Sequence, residues 1–387
     1  MAKKYNFDQI ANRRHSTSLK WDVNDDALPM WVADMDFMPM PEIQDAVIKA
    51  AQEQGYGYTY PTEDLFNAYH EWWRKRHDVI IPIEHMIYAS GVVASLDTMV
   101  RELTKVNDGI LLLTPVYHTF YNVIRNNKRN VVTSELKKDG SNYYINYQDV
   151  ENKIKNFHVK ALIFCNPHNP IGRIWQKEEI QMLFDICKRY NVLFISDEIH
   201  CDIVNPGYCY CSALKVSDEI IACLSPGKAF NLAGIQSSIV VIANKFVRAQ
   251  VQNALYRDDV GEPNYFAIPA VIAAYTYGTD YIDELNQYLF DNKIYVFNFL
   301  REYLPQIKLV SGPATYLLWL DVSYLNKRSD ILAEELKEET GLIVSPGWQF
   351  GQNAAGYLRI NIATSLANVK DGMNRLYQYI KKQEENK

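Results

Sequence analysis

The sequence predicts an α/β protein with a mostly parallel β-sheet. Short apolar runs recur along the chain, and segments with helical periodicity lie between several of them. Strand-helix alternation requires crossover connections, which place helices on both faces of a mostly parallel sheet. The length of 387 residues favours one large domain with a smaller companion over an array of small units.

The apolar runs define the predicted strands of the large domain. Five runs are short enough to be buried strands: residues 110–113, 161–165, 192–196, 220–224 and 238–242. The segment 178–190 carries Ile180, Leu183, Phe184 and Cys187 at the i, i+3, i+4, i+7 spacing of a helix. These elements together indicate repeated strand-helix-strand units.

The C-terminal part has a different pattern, which predicts a separate α+β lobe. A long helix is expected over about residues 281–303, followed by strands at 315–320, 342–344 and 357–362. A final helix is predicted from one apolar stripe, formed by Leu366, Val369, Met373, Leu376 and Ile380.

Composition excludes several classes of function. Lys and Arg number 40 against 46 Asp and Glu, a formal net charge of −6, and no dense basic block suggests a nucleic-acid partner. No run of about 18 apolar residues predicts membrane insertion. The six cysteines are scattered, which is typical of reduced thiols in the cytoplasm. We therefore expect a cytoplasmic protein with a small-molecule partner.

Two charged residues follow consecutive predicted strands. Asp197 ends the run 192–196, and Lys228 follows the run 220–224. In open α/β sheets, ligands bind outside the carboxyl ends of strands, so both side chains can face one crevice. A lysine amine near a carboxylate suits Schiff-base chemistry on an aldehyde cofactor. Taken singly, a lysine is in most cases a surface charge, and an aspartate after a strand is often a helix cap.

Five motifs occur in an order that resembles a known family. They are WVADMDF (31–37), NPHNPIG (166–172), SDEIH (196–200), SPGKAFNLAG (225–234) and LRIN (358–361). This set resembles the fold-type-I enzymes that depend on pyridoxal 5'-phosphate (PLP). Within them it is most similar to the cystathionine β-lyase-like C–S lyase branch of the class I/II aminotransferase family.

The resemblance implies a fold and domain boundaries. The large PLP-binding domain would cover residues 46–284 and contain a mostly parallel seven-stranded sheet. The smaller α+β domain would combine residues 1–45 and 285–387. The family also implies a homodimer with active sites at the subunit interface.

The same resemblance implies roles around the cofactor ring. Lys228 would be the Schiff-base lysine and the proton shuttle, and Asp197 would pair with the pyridinium nitrogen. Asn169 would donate to the phenolic oxygen O3'. His200 stands where many relatives have a tyrosine that also reaches O3', and its imidazole would either make that contact or support Asp197. Tyr117 would stack on the pyridine face.

Other positions match the family's phosphate contacts. Backbone amides of Val92 and Val93, in SGVVAS (90–95), would bind the phosphate at a helix start, where free N–H groups and the helix dipole favour anions. Ser225 would add its hydroxyl. In GYGYTY (55–60), Tyr58 would reach the cofactor phosphate of the partner subunit.

The substrate carboxylate would bind a third group of residues. Arg359 matches the family's arginine for this anion, since a planar guanidinium can bind a carboxylate through two hydrogen bonds. Asn166 and the backbone of Ala33 would touch the same carboxylate.

Two functions compete. The absence of an arginine between Ala229 and Gln236, where the aspartate aminotransferase branch has one, favours the lyase: α,β-elimination from S-substituted L-cysteines, giving thiol, pyruvate and ammonia. The alternative is a class I/II aminotransferase for an unidentified amino acid. His168, His200 and Cys201 lack the paired spacing of zinc ligands, so we expect no metal.

Overall fold

The structure is a computed structural model that describes residues 4–53 and 55–385. Its helices are α1 (Pro41–Gln52), α2 (Glu63–His77), α3 (Val92–Leu103), α4 (Thr119–Asn126), α5 (Tyr147–Asn156), α6 (Lys177–Arg189), α7 (Lys245–Arg257), α8 (Ala267–Tyr277), α9 (Thr279–Tyr303), α10 (Ser329–Thr340) and α11 (Leu366–Glu385). Its strands are β1 (Leu28–Pro29), β2 (Met86–Ala89), β3 (Gly109–Thr114), β4 (Asn130–Glu135), β5 (Lys137–Asp139), β6 (Asn142–Tyr144), β7 (Val159–Cys165), β8 (Leu193–Asp197), β9 (Ile221–Leu224), β10 (Ser238–Val241), β11 (Lys308–Leu309), β12 (Leu317–Asp321), β13 (Leu342–Ile343), β14 (Ser345–Pro346) and β15 (Tyr357–Asn361).

The main sheet has seven strands in the order β2-β10-β9-β8-β7-β3-β4. Strands β4, β3, β7, β8 and β9 are mutually parallel, and β10 is antiparallel to both of its neighbours. The predicted fold class and the five predicted strands are confirmed. The two edge strands of this sheet, β2 and β4, were not predicted, and β4 has exposed polar positions.

Helices cover both faces of this sheet because its strands are apolar on both sides. Leu111 and Leu113 face a core that includes residues of α5 and α6. Their neighbours Ile110 and Leu112 face the opposite core, which includes residues of α3, α4 and α7. Successive side chains of a strand point to opposite faces, so one uninterrupted apolar run serves both layers.

A second sheet lies in the C-terminal part. Its four strands are antiparallel in the order β11-β12-β15-β14, and β13 pairs separately with β1. The predicted α+β character of this part is confirmed. The domain boundaries remain a prediction, and α9 runs unbroken through the expected boundary at 284/285. Residues 1–3 and 386–387 of the expected small domain lie outside the described residues.

Helix α9 contacts both parts of the chain through buried asparagines. Asn286 Nδ2 donates to the carbonyl of Asp202 at 2.9 Å, next to the main sheet. Six residues later, Asn292 Nδ2 donates to the carbonyls of Ile362 and Thr364 at 3.1 and 3.0 Å. The helix therefore holds the two sheets in one relative position. Among the described residues, every helix is too short or too polar to span a lipid bilayer.

A buried ion cluster anchors the N-terminal segment 31–36. Oδ1 of Asp36 accepts hydrogen bonds from Lys20 Nζ at 2.9 Å, Trp21 Nε1 at 2.8 Å and Arg13 Nη2 at 2.6 Å. Lys20 and Asp36 are both almost completely buried. Removing one partner of such a pair leaves a charge without compensation in a low-dielectric interior, which is strongly destabilising.

We expect Asp36→Asn to lower the free energy of unfolding by about 3 kcal/mol, because Lys20 loses its main counter-charge inside the protein. Urea denaturation at neutral pH measures this difference. Asp25→Asn is the matched control, since Asp25 is mostly exposed and its removal should change stability by less than about 1 kcal/mol. Equal stabilities of the two variants would contradict the assignment of Asp36 as an anchor.

Candidate active site

A cavity of about 310 Å³ lies at the carboxyl end of the main sheet. Asp197 is the last residue of β8, and Lys228 lies in the turn that follows β9. Both line the cavity, as the strand order predicts. Of the other predicted site residues, the lining includes Ala33, Val92, Val93, Tyr117, Asn169, His200 and Ser225.

The carboxylate of Asp197 is buried, and the side chains at its two neighbouring positions in the sheet are neutral. Cys165 and Cys223 occupy the neighbouring register positions on β7 and β9. Oδ1 accepts one hydrogen bond, from the backbone N–H of Ile199 at 3.1 Å. Burial raises the pKa of Asp197 to about 7 despite that bond. The group is therefore suited to bind a proton-bearing cation inside the cavity.

The amine of Lys228 points toward the N-terminal segment. Its Nζ donates to the carbonyl of Ala33 at 2.8 Å, and the hydroxyl of Tyr316 donates to the same carbonyl at 3.1 Å. Burial, with a smaller effect from the charge of Arg359, lowers the pKa of Lys228 to about 8. A lysine with such a pKa has a substantial neutral fraction at physiological pH and can act as a nucleophile or base.

Arg359 on β15 orients Asn169. Its Nη1 donates to Oδ1 of Asn169 at 3.2 Å, which leaves the amide nitrogen of Asn169 free to donate elsewhere. Nη2 donates to the carbonyl of Trp31 at 2.8 Å and to Ser345 Oγ at 3.2 Å. These partners are neutral, and burial lowers the pKa of Arg359 to about 10. The guanidinium stays charged but is not among the residues that line the cavity, so its contact with a substrate carboxylate stays a prediction.

His200 lines the cavity as a neutral imidazole. Its burial lowers the pKa to about 3, with a smaller effect from Lys228. Its Nδ1 is buried and has no hydrogen-bond partner among the described residues. A neutral imidazole can donate from one nitrogen and accept at the other, so it can contact a phenolic oxygen as well as a ring substituent.

The first turn of α3 lines the end of the cavity that is suited to bind an anion. Val92 and Val93 are the first two residues of this helix, where backbone N–H groups lack intrahelical acceptors. Ser225 Oγ lines the same cavity but donates to the carbonyl of Ser237 at 2.7 Å. Its hydroxyl must therefore rotate before it can donate to an anion. Among the described lining residues, Lys228 is the one cation.

Three predicted site residues have different surroundings. Tyr117 lines the cavity and packs edge-on against Phe120, with ring centroids 5.7 Å apart. Tyr58 is fully exposed and lies outside the cavity of its own chain. Asn166 is buried, and its Nδ2 donates to the carbonyl of Cys211 at 2.8 Å, while its Oδ1 is unpaired among the described residues. Its contact with a substrate stays a prediction.

The two thiols beside Asp197 were not predicted as residues of the site. Cys165 and Cys223 end or nearly end the strands on either side, and both are fully buried. The signal was available, because aligning the carboxyl ends of the predicted strands brings both cysteines level with Asp197. Their neutral side chains contribute to the desolvation of that carboxylate.

A second buried polar cluster supports the chain just after His200. Asp202 accepts from Trp72 Nε1 at 3.1 Å and lies 2.8 Å from His77 Nε2. Arg76 Nε is 3.5 Å from the same carboxylate. His77, Cys201 and Asp202 are close enough together to be considered as metal ligands. Asp202, however, already has these donors, so we interpret the cluster as a support for His200.

This cluster borders a larger cleft of about 1150 Å³ between α2 and α9. The larger cleft holds neither Lys228 nor Asp197. We therefore assign the candidate active site to the smaller cavity, where the groups with shifted pKa values converge.

The cavity fits the cofactor that the sequence resemblance implies. Asp197 offers a buried carboxylate for a pyridinium nitrogen, and Asn169 offers a free amide donor for a phenolic oxygen. The first turn of α3 offers backbone N–H groups for a phosphate. Lys228 offers an amine for an aldehyde.

Comparisons with known proteins agree with this fit. The model of the family "Aminotransferase class I and II" matches residues 26–376. Cystathionine beta-lyase PatB of Bacillus subtilis is 35% identical over 382 residues, which cover 96% of this chain and 98% of that protein.

Two solved structures share the fold along almost the whole chain. A PLP-bound putative aminotransferase from Clostridium difficile 630 has a TM-score of 0.93 and 36% identity, covering 96% of this chain and 99% of its own. The PLP-bound C–S lyase of Staphylococcus hominis has a TM-score of 0.92 and 34% identity, covering 97% and 98%.

The raised pKa of Asp197 predicts a pH-dependent stability of the cofactor-free protein. The folded state binds this proton more tightly than the unfolded chain, whose carboxyl titrates near 3.8. The resulting stability is fully present below pH 3.8 and is lost as the pH rises through about 7. An asparagine at position 197 cannot ionise, so a variant that carries it keeps this stability at high pH.

At pH 8 we therefore expect cofactor-free Asp197→Asn to exceed the wild type in free energy of unfolding by about 2–4 kcal/mol. The two proteins should converge near pH 4. Urea denaturation at both pH values measures the difference. A variant that is less stable than the wild type at pH 8 would show that the carboxylate has a partner we have not identified.

Proposed function

This chain belongs to the class I and II aminotransferase family, and we propose that it is a PLP-dependent carbon-sulfur β-lyase. The reaction converts an S-substituted L-cysteine and water into a thiol, pyruvate and ammonia. L-cystathionine is the leading substrate, because the curated relative PatB of Bacillus subtilis is named as a cystathionine beta-lyase.

The observation that carries the proposal is the pairing of Lys228 with Asp197 in one buried cavity. An amine with a pKa of about 8 and a carboxylate with a pKa of about 7 occupy the same cavity. Pairs of titratable groups shifted by burial are typical of catalytic sites.

When bound, PLP supplies an electron-withdrawing ring that makes the proton on the substrate Cα removable. Lys228 would hold the cofactor aldehyde and then take the Cα proton. Asp197 would hold a proton on the ring nitrogen, which its buried negative charge favours. Asn169 and His200 would donate to the phenolic oxygen. Tyr117 would lie against the ring face.

The remaining residues would bind the two anions. Arg359 would bind the substrate carboxylate, with Asn166 and the backbone of Ala33 nearby. The carbonyl of Ala33 accepts from Lys228 Nζ, so it also guides the amine that moves the proton. The amides of Val92 and Val93 would bind the cofactor phosphate, together with Ser225 after its hydroxyl rotates.

We also propose a cytoplasmic homodimer. The exposure of Tyr58 supports the dimer, because a tyrosine that reaches the partner's active site must project away from its own subunit. The charges of the cavity support the dimer as well. Lys228 is the one cation among the described lining residues and would hold the aldehyde, so a further donor for the phosphate would come from the partner subunit. The free thiols of all six cysteines suit a reducing compartment.

The test of the activity is release of pyruvate and thiol from L-cystathionine without any keto acid. We expect turnover by the PLP-loaded wild type and none by Lys228→Ala, because the base is lost. Borohydride should attach a pyridoxyl group to Lys228 of the wild type. Circular dichroism and a urea titration show whether the variant is folded.

An aminotransferase gives a different result in the same assay. Turnover would then require 2-oxoglutarate or pyruvate, follow ping-pong kinetics and leave a stable pyridoxamine form of the enzyme. Pyruvate would not appear from cystathionine alone. That result would replace the lyase with the alternative, and failure of borohydride labelling at Lys228 would reject both.

Subunit mixing tests the role of Tyr58. Tyr58→Ala and Lys228→Ala are each expected to be inactive or nearly so. After denaturation together and refolding, mixed dimers should regain part of the activity, because one site then has both an intact lysine and an intact tyrosine. Pyruvate release measures recovery. A mixture as inactive as its components would contradict a tyrosine shared between subunits.

A further inference from the structure

His118 lies next to the predicted substrate arginine without a defined partner. It follows Tyr117 and precedes α4, where its side chain forms no capping hydrogen bond. Its ring packs edge-on against Phe350, with centroids 5.8 Å apart. The guanidinium of Arg359 lies 4.8 Å from the centroid of that same phenyl ring. His118 and Arg359 thus share one aromatic support.

Both side chains carry an unused nitrogen. Nδ1 of His118 and Nε of Arg359 are buried and have no hydrogen-bond partner among the described residues. Buried polar atoms almost always have a partner in a functional state, so two unpaired nitrogens on one support indicate that an acceptor is missing. A carboxylate offers several acceptor sites in one plane and can satisfy both.

His118 is also in the right protonation state to act as a neutral donor. Burial, with a smaller effect from the charge of Arg359, lowers its pKa to about 4. A neutral imidazole next to the guanidinium avoids charge repulsion and still has one N–H to donate. An anion bound at Arg359 would add a favourable partner for that N–H.

We propose that His118 is a second contact for the carboxylate that Arg359 binds. This inference rests on the proposed function, since it assumes that an amino acid enters the cavity. The residue selects ligands that carry an α-carboxylate over amines that lack one. The competing explanation is that His118 only packs against Phe350.

The experiment combines protein variants with ligands that do or do not have the carboxylate. L-Alanine has no leaving group on Cβ, and ethylamine is the same molecule without its carboxylate. Binding of each to the PLP-loaded protein is followed by the change in cofactor absorbance. The proteins are the wild type, His118→Phe, which keeps the ring packing, and His118→Asn, which keeps a polar group.

Tyr121→Phe is the matched control. Tyr121 lies on α4, which begins just after His118, and its hydroxyl donates to the carbonyl of Phe350 at 3.2 Å. Its removal disturbs the same support without touching the proposed contact. Wild-type binding of L-alanine does not depend on whether the enzyme eliminates or transaminates, so failure of this inference is distinct from failure of the proposed lyase activity.

We expect His118→Phe to raise the dissociation constant of L-alanine about 10-fold or more, as for loss of a hydrogen bond to a charged group. Ethylamine binding should change less than about twofold. His118→Asn should recover part of the loss, and Tyr121→Phe should behave like the wild type. The proposal fails if His118→Phe binds L-alanine normally, if it weakens both ligands equally, or if Tyr121→Phe reproduces its effect.

Discussion

The burial of the Asp197 carboxylate without a cation in direct contact is the constraint on which the candidate site depends. Asp197 ends β8 between two strands whose neighbouring residues are neutral cysteines. Its carboxylate accepts one hydrogen bond, from the backbone N–H of Ile199. Desolvation therefore favours any arrangement that brings a protonated ring nitrogen to it. The folded protein gives up stability at this position, as catalytic groups in buried sites commonly do.

The N-terminal segment 31–36 links the two sheets at the site. The carbonyl of Trp31 accepts from Arg359, which belongs to the smaller sheet, and the carbonyl of Ala33 accepts from Lys228, which follows a strand of the main sheet. One short stretch of backbone thus sets the positions of the amine and the guanidinium relative to each other. The ion cluster at Asp36 holds the far end of that stretch.

Sequence patterns predicted those parts of the site that depend on strand ends. Asp197 and Lys228 could be placed together because apolar strands are easy to recognise and their carboxyl ends meet at one edge. The state of His118 could not be predicted, because it depends on Arg359, far along the chain. The partner of the Asn166 amide lies on a segment without periodicity. The surroundings of Tyr58 could not be predicted from one chain, because the family resemblance implies that this residue contacts the cofactor of a partner subunit.

Helix α9 makes the spacing between the sheets sensitive to insertions. Asn286 is bonded near the main sheet and Asn292 near the smaller one, on a single uninterrupted helix. Each residue of an α-helix turns its successor by about 100° and advances it by about 1.5 Å. One extra residue between the two asparagines would rotate one of them away from its carbonyl. Natural length variation in this protein should therefore avoid residues 286–292 and collect in loops.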